Sequence, residues 1–175
     1  MVSIPKIDYK IELETDRLIF RKFVREDADM IFELNSDDEV MKYTANRPFE
    51  SLQAAQDFLH SYDHYEKYDY GRWAINLKLN GEFIGWCGLR YNPEKDETDV
   101  GFRFFAHYWG NGYATESARA VISHGFEKYG LKKIIAVIRE DNIQTHKIVR
   151  KLGMKFHKYF NENGHKWVQY CVEKK

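Results

Sequence analysis

His107-Tyr108-Trp109-Gly110-Asn111-Gly112-Tyr113-Ala114-Thr115-Glu116 joins an apolar, strand-like run, Val100 to Phe105, to a segment of helical spacing. In that segment Ala114, Ala118, Val121, Ile122, Gly125 and Phe126 fall on one side. A strand, a tight turn with two glycines and a helix start together make an anion site. Gly110 and Gly112 can take backbone angles closed to other residues, and without a Cβ they let a ligand approach closely. The first-turn N–H groups lack intrahelical partners, and the helix dipole adds partial positive charge. A phosphate-bearing ligand is expected here.

Upstream, Arg17 to Phe23 reads as a first strand behind a loose arm, Met1 to Leu13. A helix from Asp27 carries Ala28, Ile31 and Phe32 and closes near Asn35 and Ser36; Asp37 to Val40 reads as a short turn or helix. Ser51 caps a longer helix in which Leu52, Ala55, Leu59 and Tyr62 share a face. Arg72 to Leu79 and Glu82 to Arg90 are strands, and Asn80-Gly81 between them predicts a two-residue type I′ turn. The polar loop Asn92 to Glu97 leads into the strand that opens on Thr98.

Downstream, Gly130 ends the helix that follows the glycine turn. Ile134 to Ile138 is a short β-branched run suited to a buried, partly parallel strand. Asn142 caps a helix with Thr145, Ile148, Val149 and Leu152 on one face, stopped by Gly153. Phe156 to Phe160 and Lys166 to Val172 form a last hairpin around Asn163-Gly164. The order β-α-α-β-β-β-α-β-α-β-β, without repeat or linker, predicts one α/β (α+β) domain over residues 1–175. Its core runs from about 15 to 172, with a mixed, mostly antiparallel sheet flanked by helices.

Composition narrows the function class. Lysine plus arginine equals aspartate plus glutamate at 27 each, so no global charge draws the chain to nucleic acid or to a membrane. No apolar run approaches the ~20 residues that span a bilayer, and the N-terminus lacks a secretory region, so a cytoplasmic protein is expected. Cys87 and Cys171, the two cysteines, read as buried thiols. No His/Asp/Glu cluster has metal-ligand spacing, and no metal is expected. The turn lacks G-x-x-x-x-G-K-[ST]. Thr115 stands where G-x-G-x-x-G has its third glycine, and the preceding strand belongs to an antiparallel meander, so P-loop and dinucleotide folds are excluded.

Four segments in order carry a family resemblance. They are Leu13-x-Thr15-Asp16-Arg17-Leu18, Asp99-Val100-Gly101-Phe102, Tyr108 to Glu116, and Asn142-x-x-Thr145 leading into Lys151-Leu152-Gly153-Met154. From about Thr15 to Val172 the chain resembles the GNAT N-acetyltransferase superfamily, particularly its ribosomal-protein-alanine-acetyltransferase-like branch. The resemblance implies acetyl-CoA as donor and an amine-bearing acceptor, a protein N-terminus or a small molecule, attacked directly in a ternary complex. In the family's Q/R-x-x-G-x-G/A pattern His107, Gly110 and Gly112 take the three positions, and His107 and Asn111 depart from the usual basic residues. Cofactor contacts are expected from Trp109 and from backbone amides between Gly110 and Ala114, through Asn111, Gly112 and Tyr113. On the later helix, Asn142, Thr145 and Lys147, with Lys151, are expected to join them.

The resemblance also implies that Phe102, Arg103 and Phe104 offer their main chain to the pantetheine arm. The Phe104 N–H would stabilise the oxyanion, a device worth about 3 kcal/mol where a donor has been removed. Asp99 is the first candidate base for the amine proton, with a plain surface carboxylate or a structural partner of Arg103 as its other readings. His146 is the second candidate, with a half-exposed helix histidine as the alternative. Trp73, Trp86, Tyr91 and Trp167 are candidates to line an acceptor pocket or to fill the core. A non-catalytic acyl-CoA-binding sensor, or an interaction module, is the competing class. An exposed final strand leaves monomer and homodimer both open.

Overall fold

The structure is a computed structural model and describes residues 10–175. Eight strands form one sheet: β1 (Ile11–Glu14), β2 (Leu18–Arg21), β3 (Arg72–Leu77), β4 (Phe83–Asn92), β5 (Glu97–Phe104), β6 (Lys133–Arg139), β7 (Lys155–Glu162) and β8 (His165–Glu173). Their spatial order is β1-β2-β3-β4-β5-β6-β8-β7. Pairing is antiparallel throughout except between β5 and β6, which run parallel and share the single register pair Asp99 with Ile135. The expected mixed sheet is therefore present.

Six helices cover it: α1 (Ala28–Leu34), α2 (Asp38–Met41), α3 (Leu52–Ser61), α4 (His64–Tyr68), α5 (Tyr113–Glu127) and α6 (Ile143–Lys151). Strand alternation divides the core between the two faces. Val100 and Phe104 of β5 join Ala118, Val121 and Ile122 of α5 and Val149 of α6 on one side. On the other, Ile31 and Leu34 of α1 and Ala55 of α3 pack with Ala74, Phe83 and Phe105. Asp99, Gly101 and Arg103 point to this second face.

Several expectations need correction. Of the supposed arm, residues 1–9 lie outside the described residues, and Ile11–Glu14 pairs with β2 as an edge strand. Asn80-Gly81 is not a two-residue I′ turn, because only Gly81 has positive φ (75°) and the loop spans Lys78 to Glu82. Asn80 spends its side chain on Glu82 N at 3.0 Å, an Asx arrangement that competes with the tight turn. The same dipeptide at Asn163-Gly164 has φ of 52° and 75° and closes Glu162 against His165, the predicted I′ geometry.

Candidate active site

The glycine turn is held from outside. Gly110 and Gly112 take φ of 79° and 82°, the left-handed region that favours glycine, and Gly112 starts α5 without a side-chain cap. The start of α5 therefore has no capping side chain for its first-turn amides. Glu116, in that turn, accepts from Thr15 Oγ1 at 2.6 Å and from Arg17 Nε at 2.7 Å. Arg17 also donates to Asn111 O at 3.0 Å and lies 4.5 Å from the centre of the Tyr113 ring. Burial alone would raise the Glu116 carboxyl, but the Thr15 and Arg17 hydrogen bonds outweigh it and hold it below its ordinary value.

Beside the turn, β5 and β6 part after Asp99, and a cavity of about 1060 Å³ opens between them and α6. Phe105 N donates to Ile84 O at 3.2 Å. Because an antiparallel strand turns successive N–H groups to alternate neighbours, the Phe104 N–H faces the opened β6 side. Phe104 O is taken by the Trp109 indole N–H at 2.9 Å, which braces the end of the strand against the glycine turn.

Most of the expected residues gather on this cavity. Asp99, Phe102, Arg103, Phe104, Trp109, Gly110, Gly112, Tyr113, Ala114, Asn142, Thr145 and Lys147 all line it, as do Lys151, Trp86 and Trp167. Asn142 caps α6 by accepting from Thr145 N at 3.3 Å. Trp73 is fully buried in the core and Tyr91 hydrogen-bonds Asp96, so neither forms a pocket wall. Cys87 is fully buried, which pushes its thiol up to about 12; Cys171, expected buried, is half-buried.

Three predicted side chains are placed otherwise. His107 turns away from the cavity and stacks on Phe105, ring centroids 5.7 Å apart. Asn111 folds back, its amide donating to Tyr108 O and Trp109 O at 3.0 and 3.2 Å. His146 is buried, with Nδ1 2.9 Å from the Tyr170 hydroxyl and Nε2 3.1 Å from both Arg139 O and Glu140 O. Nε2 therefore donates, Nδ1 accepts from Tyr170, and no lone pair is left to take a substrate proton. His146, the second candidate base, is neither half-exposed nor open to the cavity, and ties α6 to β8.

Asp99 does line the cavity, but its carboxylate is engaged. Arg72 Nη2 pairs with Oδ1 and Arg90 Nε with Oδ2 at 3.0 Å. Burial would raise the Asp99 carboxyl, yet the two guanidiniums outweigh it and hold it below its ordinary value, which makes it a weak base. Arg72 reaches it by lying flat over Gly101, where a Cβ would sit 2.7 Å from Nη2, and by donating to Gly88 O. Arg103 is not the partner of Asp99: its guanidinium donates to Asn35 Oδ1 and rests on Trp86.

Sequence reasoning missed the Arg17 strap, the Arg72–Asp99–Arg90 set and the Arg103–Asn35 contact. Glycines inside strands at 88 and 101 were the available signal, since such glycines mark close approach by another group.

The family model described as an acetyltransferase (GNAT) domain matches residues 17–155. An uncharacterized N-acetyltransferase of Bacillus subtilis (strain 168), YoaA, is 32% identical over 158 residues, 87% of this chain and 89% of that protein. Among solved structures, RimL, a ribosomal L7/L12 alpha-N-protein acetyltransferase in complex with coenzyme A, superposes with a TM-score of 0.80. It is 15% identical, and the match covers 94% of this chain and 98% of that one. A spermidine N-acetyltransferase from Vibrio cholerae in complex with CoA and spermine gives a TM-score of 0.78 at 17% identity, with 91% and 96% covered.

Proposed function

The chain belongs to the GNAT family of acetyl-CoA-dependent acetyltransferases, and we propose that it moves the acetyl group to a primary amine by direct attack in a ternary complex. The acceptor is a small amine or a protein N-terminus. One observation carries the reading: the parted β5 and β6 lead straight to an uncapped helix start framed by Gly110 and Gly112. The fit is chemical as well as spatial. The first-turn amides of α5 would hold the pyrophosphate, with Lys147 and Lys151 adding charge from α6. The free edge of β5 would pair with the amides of the pantetheine arm.

Acetyl-CoA supplies the activated thioester; the protein's residues orient it. The Phe104 N–H, turned toward the opening, would meet the negative charge that develops on the carbonyl oxygen. With the Asp99 carboxylate paired to two arginines and His146 sealed, the amine proton leaves to solvent in the cavity. The same engaged pair is what favours a binding module without turnover, and one experiment separates the two. Acetyl-CoA is expected to raise the melting temperature, and release of free coenzyme A thiol is expected when amines are added. A thermal shift with no thiol release across peptides, amino acids and polyamines would favour the binding module. No shift at saturation removes the cofactor assignment.

A further inference from the structure

On one face of the sheet beside the opening, Arg72, Arg90 and Arg103 gather around Asp99 and Trp86. Asp99 is shared between Arg72 and Arg90. Arg103, 8% exposed, has no carboxylate partner among the described residues. Its polar contact is the Asn35 amide oxygen, and Asn35 is itself fixed by donating to Ile31 O at 2.6 Å. Beneath it lies the Trp86 indole at 5.2 Å, and the same ring carries Arg72 at 5.3 Å. Burial, with Arg72 nearby, lowers the Arg103 pKa to about 10, so it is still a cation at neutral pH.

A buried cation with a neutral amide and a ring face for company is expensive to keep. The cost falls when an anion arrives. Arg103 and Trp86 both line the cavity, where basic side chains outnumber acidic ones by eight to four. A planar guanidinium held from two sides presents its remaining N–H groups as a fork matched to a carboxylate.

We infer that the acceptor is a primary amine carrying a carboxylate within a few bonds of its nitrogen, such as an amino acid, and that Arg103 selects it by pairing with that carboxylate. The inference rests on the transferase reading above. Arg103 adjoins Phe104 in β5, so a carboxylate on its guanidinium brings a nearby amine alongside the Phe104 N–H. There the nitrogen lone pair forms the new N–C bond as the C–S bond breaks. The sulfur leaves as thiolate and the amine proton passes to solvent. A polycation would meet the like charge of Arg103 at the same place, with Arg72 and Arg90 already sharing Asp99.

The test uses the full chain, acetyl-CoA and amines of similar size. Thiol release is compared for glycine, β-alanine, ethanolamine, O-phosphoethanolamine and spermidine. The expected kcat/KM for the carboxylate-bearing amines is at least about tenfold above ethanolamine, with spermidine lowest. In Arg103→Met the ratio of β-alanine to ethanolamine kcat/KM falls toward one, and an unchanged ratio overturns the inference. Equal rates for ethanolamine and β-alanine, or a faster spermidine, overturn the inference; a faster phosphoethanolamine overturns the carboxylate. Binding of N-acetyl-β-alanine against N-acetylethanolamine, read by calorimetry on the unmutated chain, tests the same preference without turnover. Here too about tenfold tighter binding of the acid is expected, and equal binding overturns the inference. A thermal shift with acetyl-CoA but no preference for the acid sinks this inference alone; no shift sinks the transferase reading first.

Discussion

Arg17 and Glu116, ninety-nine residues apart, meet through two contacts to one carboxylate oxygen, Nε at 2.7 Å and Nη2 at 2.6 Å. The other oxygen takes the Thr15 hydroxyl at 2.6 Å and the Arg17 N–H at 3.2 Å. The turn between β1 and β2 is thereby clamped to the first turn of α5, and Arg17 adds a bond to Asn111 O. Arg17→Ala is expected to leave the fold intact, since a half-exposed ion pair contributes about 1 kcal/mol, or about 3 °C in melting temperature at this size. It should nonetheless weaken coenzyme A binding several-fold in calorimetry by letting the glycine turn relax. Unchanged affinity would detach the strap from the cradle.

Asp99→Asn separates the two roles open to that carboxylate. Its folded-state pKa lies below the ordinary 3.8, so its pairing contributes stability that is fully present above that value and is lost as pH falls below it. At neutral pH the substitution leaves Arg72 buried with one partner fewer, a loss of about 3 kcal/mol. Denaturant unfolding should show that loss at pH 7 and a smaller one near pH 3. A variant as stable as the parent but without thiol release would restore Asp99 as the base.

The periodic parts of this fold were legible from sequence because burial writes itself into spacing. The α5 face, the α6 face and the last hairpin follow from period 3.6, period 2 and one Asn-Gly pair. The first Asn-Gly pair misled because its asparagine side chain found a local partner in Glu82, which no pattern of hydrophobicity reports. The glycine turn and its helix start were legible for the same local reason, since a strand end, two glycines and the first residue of α5 follow one another directly. The reacting end was not. Whether Asp99 is free or paired depends on Arg72 and Arg90, one from β3 and one from β4, and that register is a property of the folded sheet. His146 looked exposed because the partners that seal it, Tyr170 and the Arg139 and Glu140 carbonyls, lie outside its own helix.

His146→Leu tests the sealed tie. The substitution removes the imidazole from the Tyr170 hydroxyl and from the Arg139 and Glu140 carbonyls, of which Arg139 O keeps the Asn142 N–H at 3.0 Å, a cost of about 2 kcal/mol. The pH dependence of kcat/KM should keep the parent's shape, because the imidazole never faces the acceptor. Loss of one limb of that profile, with stability unchanged, would return His146 to the reaction.

Gly101→Ala probes why the ion pair can form at all. The new Cβ would stand 2.7 Å from Arg72 Nη2 and 2.8 Å from Cζ, inside contact distance, so the guanidinium must lift off β5. Lifting it breaks the Asp99 pair and the bond to Gly88 O together. The expected loss is about 2–3 kcal/mol by denaturant unfolding, close to that of Asp99→Asn. Both substitutions remove the same interaction, so the double variant should lose clearly less than the sum of the two. Strict additivity would show that Arg72 accommodates the methyl while still holding Asp99, and Gly101 would then need another explanation.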